Sequence, residues 1–146
     1  MEEALIKRVM PNSLEAEQSV VGSMIMDRDA IVAASEILIK EDFYHQQYGQ
    51  IFEAIVELYN SGQAVDVITL QNKLREKDVP PEVSSVQYIS DLVAAIPVTV
   101  NTEAYAQIVK DKALLRQIIR VNQEIENDCY NGKQGVTEIL EKTEHD

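Results

Sequence analysis

"NTEAYAQIVKDKALLRQIIRVNQEIENDCYNG", residues 101–132, decides how the rest of the sequence is read. It contains no proline and no interior glycine, the two residues that most readily break a helix. If residues 102 to 130 form one helix, its length is about 43 Å at 1.5 Å per residue. That is longer than the core of a small domain requires. Ile108, Leu115, Ile118, Asn122, Ile125 and Cys129 fall on one stripe of it, and Tyr105, Val109, Leu114, Ile119 and Val121 widen the stripe. One short partner helix could not easily cover so broad a surface. Residues 136–146 and the globular part of the chain could cover it, or another subunit could. Periodicity leaves the two readings open.

Working outward towards the C-terminus, "NGKQG" (131–135) makes a turn and "VTEILEKTEHD" (136–146) begins another helix. Two helices joined by a short glycine-containing turn form an antiparallel hairpin. The last helix has no stop signal before Asp146, so the chain is expected to continue.

Towards the N-terminus, Pro97 ends a run of shorter helical patterns. "SLEAEQSVVGSMI" (13–25) places Leu14, Val21, Met24 and Ile25 on one face, with Asn12 or Ser13 as its cap and Glu15 and Glu17 in the first turn. "DAIVAASEILI" (29–39) is a second helix, opened by Asp27 or Asp29. "EDFYHQQYGQIFEAIVELYNSG" (41–62) is a third, with Tyr48, Ile51, Phe52, Ile55 and Leu58 at helical spacing and Gly62 as its stop. Asp66 caps a fourth, "VITLQNKLREK". "DVPPEVSS" (78–85) is a loop by composition, and "SVQYISDLVAAI" (85–96) is a fifth helix. Strand signals are weak: "AVDVITL" is β-branched but runs straight into helical sequence. The expected fold class is all-α: a compact globular domain of about five helices followed by a long antiparallel hairpin. The expected boundaries are a disordered leader at 1–10, the globular domain at 11–98 and the hairpin at 99–146.

The chain's 146 residues can bury a core without staples. Its single cysteine, Cys129, excludes an internal disulfide and fits a reducing compartment. No apolar run approaches the ~20 residues needed to span a bilayer, and "MEEALIKRVMP" is acidic where a signal peptide is basic. The expected location is the cytoplasm, with no membrane partner. Net charge is −12, from 25 acidic and 13 basic residues. Residues 1–98 hold 16 acids and 7 bases, a net −9, and residues 99–146 hold 9 acids and 6 bases, a net −3. Phosphate binding needs Lys and Arg, so a protein partner is favoured over DNA.

Little in the sequence offers chemistry. A phosphate-binding loop needs G-x-x-x-x-G-K-[ST]; here Gly132-Lys133 is followed by Gln134 and has no glycine five residues before Gly132. His45 follows Glu41 and Asp42 by four and three residues, but one histidine with two carboxylates is more often structural than catalytic. Cys129 lies in register with Ile118 and Ile125, which points to packing. Lys112, Arg116 and Arg120 form a row that reads best as a solvated face, with Glu124 pairing to Arg120. No catalytic, cofactor-binding or metal-ligating residue is expected.

Four blocks taken together carry more. "NSLEAEQSVVGSMI", "EDFYHQQYGQIFEAI", "VDVITL" and "YISDLVAAIPVTVNTEAYAQIVKDKALLRQII" resemble, in that order, the amino-terminal domain of DnaB-type bacterial replicative helicases. The resemblance covers about residues 11 to 130. It departs at "DVPPEVSSV", where the family often carries a glycine pair. The resemblance implies a homo-oligomer whose hairpins pair to build a dimerising collar above a hexameric ring of ATPase domains. It implies docking of a DnaG-type primase, a response to a helicase loader, and contact with DNA only through the full ring. The ATPase motifs, with their ATP and Mg, would lie beyond Asp146. Carried over by position, the self-association and partner surface is Tyr105, Ile108, Leu115, Ile118, Ile119, Asn122, Ile125 and Cys129. Competing readings are a primase's helicase-binding domain, a free-standing helical adaptor, and a helical enzyme built around His45.

Overall fold

The computed structural model describes residues 9–96, 101–132 and 134–145. Among them there are helices and turns and no strand. Most of the expected leader, residues 1–8, lies outside the described residues, as do residues 97–100 beside the boundary expected at 98/99. Two compact units result: Asn12–Ala113, and Leu114–Asp146 with Met1–Pro11.

In the first unit, α1 (Leu14–Met26) starts where Ser13 accepts a hydrogen bond from the amide of Ala16 at 3.2 Å. It stops at Asp27, which also caps α2 (Arg28–Ile37) by accepting from the amide of Asp29 at 2.9 Å. One extended residue thus ends one helix and begins the next.

The third helix starts later than its periodicity suggests. Lys40–Asp42 form a separate 3-10 turn, and α3 runs Gln46–Asn60. The break has two causes. The Asp42 carboxylate turns back onto the amide of Ile39 at 2.9 Å, and Phe43 leaves the helical path to enter the core. Gly49 lies so close to the turn that a Cβ there would sit 2.9 Å from the carbonyl oxygen of Lys40. Gly62, at φ +73°, then ends the chain's run out of α3.

Helix α4 (Val67–Glu76) opens with a reciprocal cap: Thr69 N donates to Asp66 Oδ1 and Asp66 N donates to Thr69 Oγ1, both at 2.9 Å. The segment expected to be a loop contains a helical turn, α5 (Pro81–Ser84), with proline at its first position. Proline there loses no hydrogen bond, since the first amides of a helix are unpaired anyway. Ser84 is buried and donates to the carbonyls of Val79 and Pro80. Ser85 next caps α6 (Val86–Ala94) by accepting from Tyr88 N at 3.1 Å.

Helix α7 runs unbroken from Thr102 to Asn131, 30 residues or about 45 Å. Its first turns belong to the first unit because Ala106 and Val109, both 1% exposed or less, enter the same core as Val20, Ile51, Ile55, Leu70 and Ile89. The second unit holds the rest of α7, a turn with Gly132 at φ +60°, and α8 (Val136–His145). Lys142 of α8 binds the carboxylates of Glu124 and, at 3.0 Å, Asp128. The helical hairpin expected from the sequence is present.

Candidate functional site

The first unit holds a buried carboxylate on α1. Glu17 is 1% exposed, and its carboxylate accepts from the amides of Tyr44 and His45 and faces His45 Nδ1, each at 3.1 Å. His45 is the cap residue of α3 but makes no side-chain cap of its own. The buried carboxylate of α1 therefore holds the backbone just before α3, at Tyr44 and His45, and its negative charge lies near the positive end of that helix. Glu41 and Asp42, which a continuous helix would have set beside His45, are elsewhere. Asp42 instead receives Lys110 Nζ at 3.3 Å. His45 thus has a structural partner, and among the described residues no group of three metal-ligating side chains converges.

A second polar cluster joins α3 to α4. Lys77 Nζ lies 2.8 Å from Glu53 and 2.7 Å from Glu57, with Lys40 and Lys73 on the flanks. Hydrogen bonding from Lys77 holds both carboxyls below the usual carboxylate range, against a weaker upward push from burial. Nearby, burial beside the Tyr48 hydroxyl raises the Tyr88 phenol well above its ordinary value. These are framework contacts.

The residues expected to form a self-association surface all lie on α7. Tyr105 and Ile108 fall in the first unit, where Tyr105 packs partly against the core and Ile108 is 40% exposed. The other six fall in the second unit. Leu115 and Ile118 are 45% and 54% exposed. Asn122 and Cys129 are exposed, and Ile119 and Ile125 are half-buried. Leu114 on α7 and Val136 and Leu140 on α8 are exposed too. Several large apolar side chains are thus exposed on this one unit.

Arg116 departs from the solvated row expected of it. It is 3% exposed and donates to the carbonyl oxygen of Pro11 at 2.8 Å. Glu124 takes Lys142 as its partner. In the same unit, Val9 and Met10 line an open groove of about 400 Å³ with Ile119, Asn122, Gln123 and Glu126. Sequence reasoning missed Glu17 and Arg116 because their partners are 27 and 105 residues away. The one available signal was a carboxylate and a guanidinium set in otherwise apolar helical faces.

Comparison with known proteins agrees with this geometry. The model of the DnaB-like helicase N terminal domain family matches residues 9–111. The replicative DNA helicase DnaB of Geobacillus stearothermophilus is 38% identical over 144 residues, covering 99% of this chain and 32% of its own length. The replicative DNA helicase DnaC of Bacillus subtilis is 35% identical over the same shares. The chain therefore spans about a third of the length of these relatives. Among solved structures, the N-terminal domain of DnaB helicase from Mycobacterium tuberculosis superposes with a TM-score of 0.86 at 30% identity, covering 94% of this chain and 97% of that one. The N-terminal domain of DnaB helicase from Helicobacter pylori, described with its interactions with primase, superposes at a TM-score of 0.68 and 21% identity, which supports the fold alone.

Proposed function

Since the chain belongs to the DnaB-like helicase N-terminal domain family, we propose that it acts as the non-catalytic collar of a replicative DNA helicase in the cytoplasm. Its work is assembly: the hairpin associates with other copies, and the collar docks a DnaG-type primase and answers to a helicase loader. ATP, Mg and the unwinding of DNA belong in this reading to a separate domain of a longer protein. The observation that carries the proposal is the open apolar face of α7, Leu114, Leu115 and Ile118, on a unit that has no buried apolar side chain of its own among the described residues. An interface with a core of large aliphatic side chains is the way such a face is covered. The net charge of −12 discourages direct binding of DNA phosphates by the domain itself.

Sedimentation equilibrium of the chain, alone and with a DnaG-type primase from the same genome, tests both parts. Self-association that weakens at least tenfold on Ile118→Asp, together with a stable complex with primase, supports the proposal. A monomer that ignores primase would remove it.

A further inference from the structure

Val9, Met10 and Pro11 belong to the same unit as the hairpin and follow α7 in one direction. Arg116, 3% exposed, donates to the carbonyl oxygen of Pro11 at 2.8 Å. Val9 and Met10 then line the groove with Ile119, Asn122, Gln123 and Glu126. As residue numbers fall from 11 to 9, the partners on α7 rise from 116 towards 126. Arg116, Ile119, Gln123, Glu126 and Tyr130 recur at steps of three and four, so they share one flank of the helix. Another flank belongs to α8, whose Lys142 holds Glu124 and Asp128.

We propose that the Arg116–Tyr130 flank is covered by residues 5–8 of the same chain, Leu5-Ile6-Lys7-Arg8, which continue the path of Val9 antiparallel to α7. The lengths agree. From Arg116 to Glu126 the helix rises about 15 Å. Extended chain covers that distance in about four to five residues at about 3.3 Å each, which brings Lys7 and Ile6 level with Glu126. From Arg116 to Tyr130 the rise is about 21 Å, or about six extended residues, which brings Leu5 level with Tyr130.

The chemistry matches in the same order. Glu126 is exposed, and among the described residues no cation pairs with it, since Lys142 goes to Glu124 and Asp128. The Lys7-Arg8 pair supplies that cation. Tyr130 is 84% exposed and takes the aliphatic pair Leu5-Ile6 over its ring. One exposed ion pair contributes at most about 1 kcal/mol, so the segment is easily displaced. It therefore acts as a strap: a partner that requires this flank of the hairpin must first lift it.

Paramagnetic relaxation in the full chain tests the strap. A nitroxide is attached through Asn127→Cys in a Cys129→Ser background, and the amide signals of residues 5–8 are read before and after the label is reduced. Asn127 and Cys129 are exposed, so this variant should fold normally. Residues 5–8 should lose most of their signal while the label is active. Glu126→Lys should restore it, and adding Lys7→Glu with Arg8→Glu should remove it again. Signals that keep full intensity overturn the proposal, and a loss that Glu126→Lys leaves unchanged overturns the pairing with Glu126. Mixing spin-labelled chain with isotopically enriched, unlabelled chain separates one copy from two. An equal loss in that mixture would place the segment on a second copy and overturn the strap.

Discussion

The two units of this chain use the same kinds of residue to opposite ends. Among the described residues, every buried apolar side chain lies between Ala16 and Val109, and the first unit closes a core around Val20, Ile51, Ile55, Leu70 and Ile89. Beyond Val109 the described apolar residues are exposed or half-exposed, and among the described residues there the one buried side chain is that of Arg116. A helix that continues smoothly across this change teaches that secondary structure and burial are separate decisions. The repeat that makes Thr102–Asn131 helical is the same throughout, but only its start enters a closed apolar core.

That contrast can be broken most forcefully at the core. Ile55→Ala should cost about 2–5 kcal/mol in the chemical denaturation of the first unit, as a cavity with nothing to fill it. Ile118→Ala should change the stability of the monomer by less than about 0.5 kcal/mol while weakening self-association. Equal losses at the two sites would erase the distinction. Next in size, Glu17→Ala should cost about 3 kcal/mol, because three groups at the start of α3 lose a charged acceptor at once. Glu17→Gln, which retains an oxygen acceptor, should recover part of that loss.

Gly49→Ala should be milder, at about 1–3 kcal/mol, since α3 must move off the carbonyl of Lys40 to admit a methyl group. The smallest effect is electrostatic. Glu53 and Glu57 are held below the ordinary carboxylate range, so their contribution is complete above the unfolded-state value and disappears as pH falls through the lower folded-state values. Melting temperature should therefore drop between about pH 5 and 3, and Lys77→Met should flatten that slope. A variant with an unaltered slope would show that the cluster between α3 and α4 is inert.

Much of the fold was legible because its signals are local. Ser13, Asp66 and Gly62 act within four residues of themselves, and the predicted caps and stop coincide with the observed ones. The long helix was legible for the same reason, from the absence of breakers. Composition misled at "DVPPEVSS", where two prolines read as a loop although one of them sits at the only helical position that suits it. The break before α3 depends on Asp42 and on the close approach at Gly49, neither of which has a signature in neighbouring residues. At the candidate surface, the stripe of Leu115, Ile118, Asn122, Ile125 and Cys129 could be named from spacing. Which side of that helix was already taken could not, since Arg116 and Lys142 choose partners far along the chain.

The Glu17 contact has a kinetic consequence. A helix whose two preceding residues are pinned by a carboxylate almost thirty residues upstream is not anchored at its start until that other helix has docked. A peptide covering residues 40–60 should therefore fray at its start, and in the whole protein the amides of Tyr44 and His45 should exchange with solvent only when α1 comes away. The acid in "SLEAEQ" makes two distant stretches of chain fold as one event.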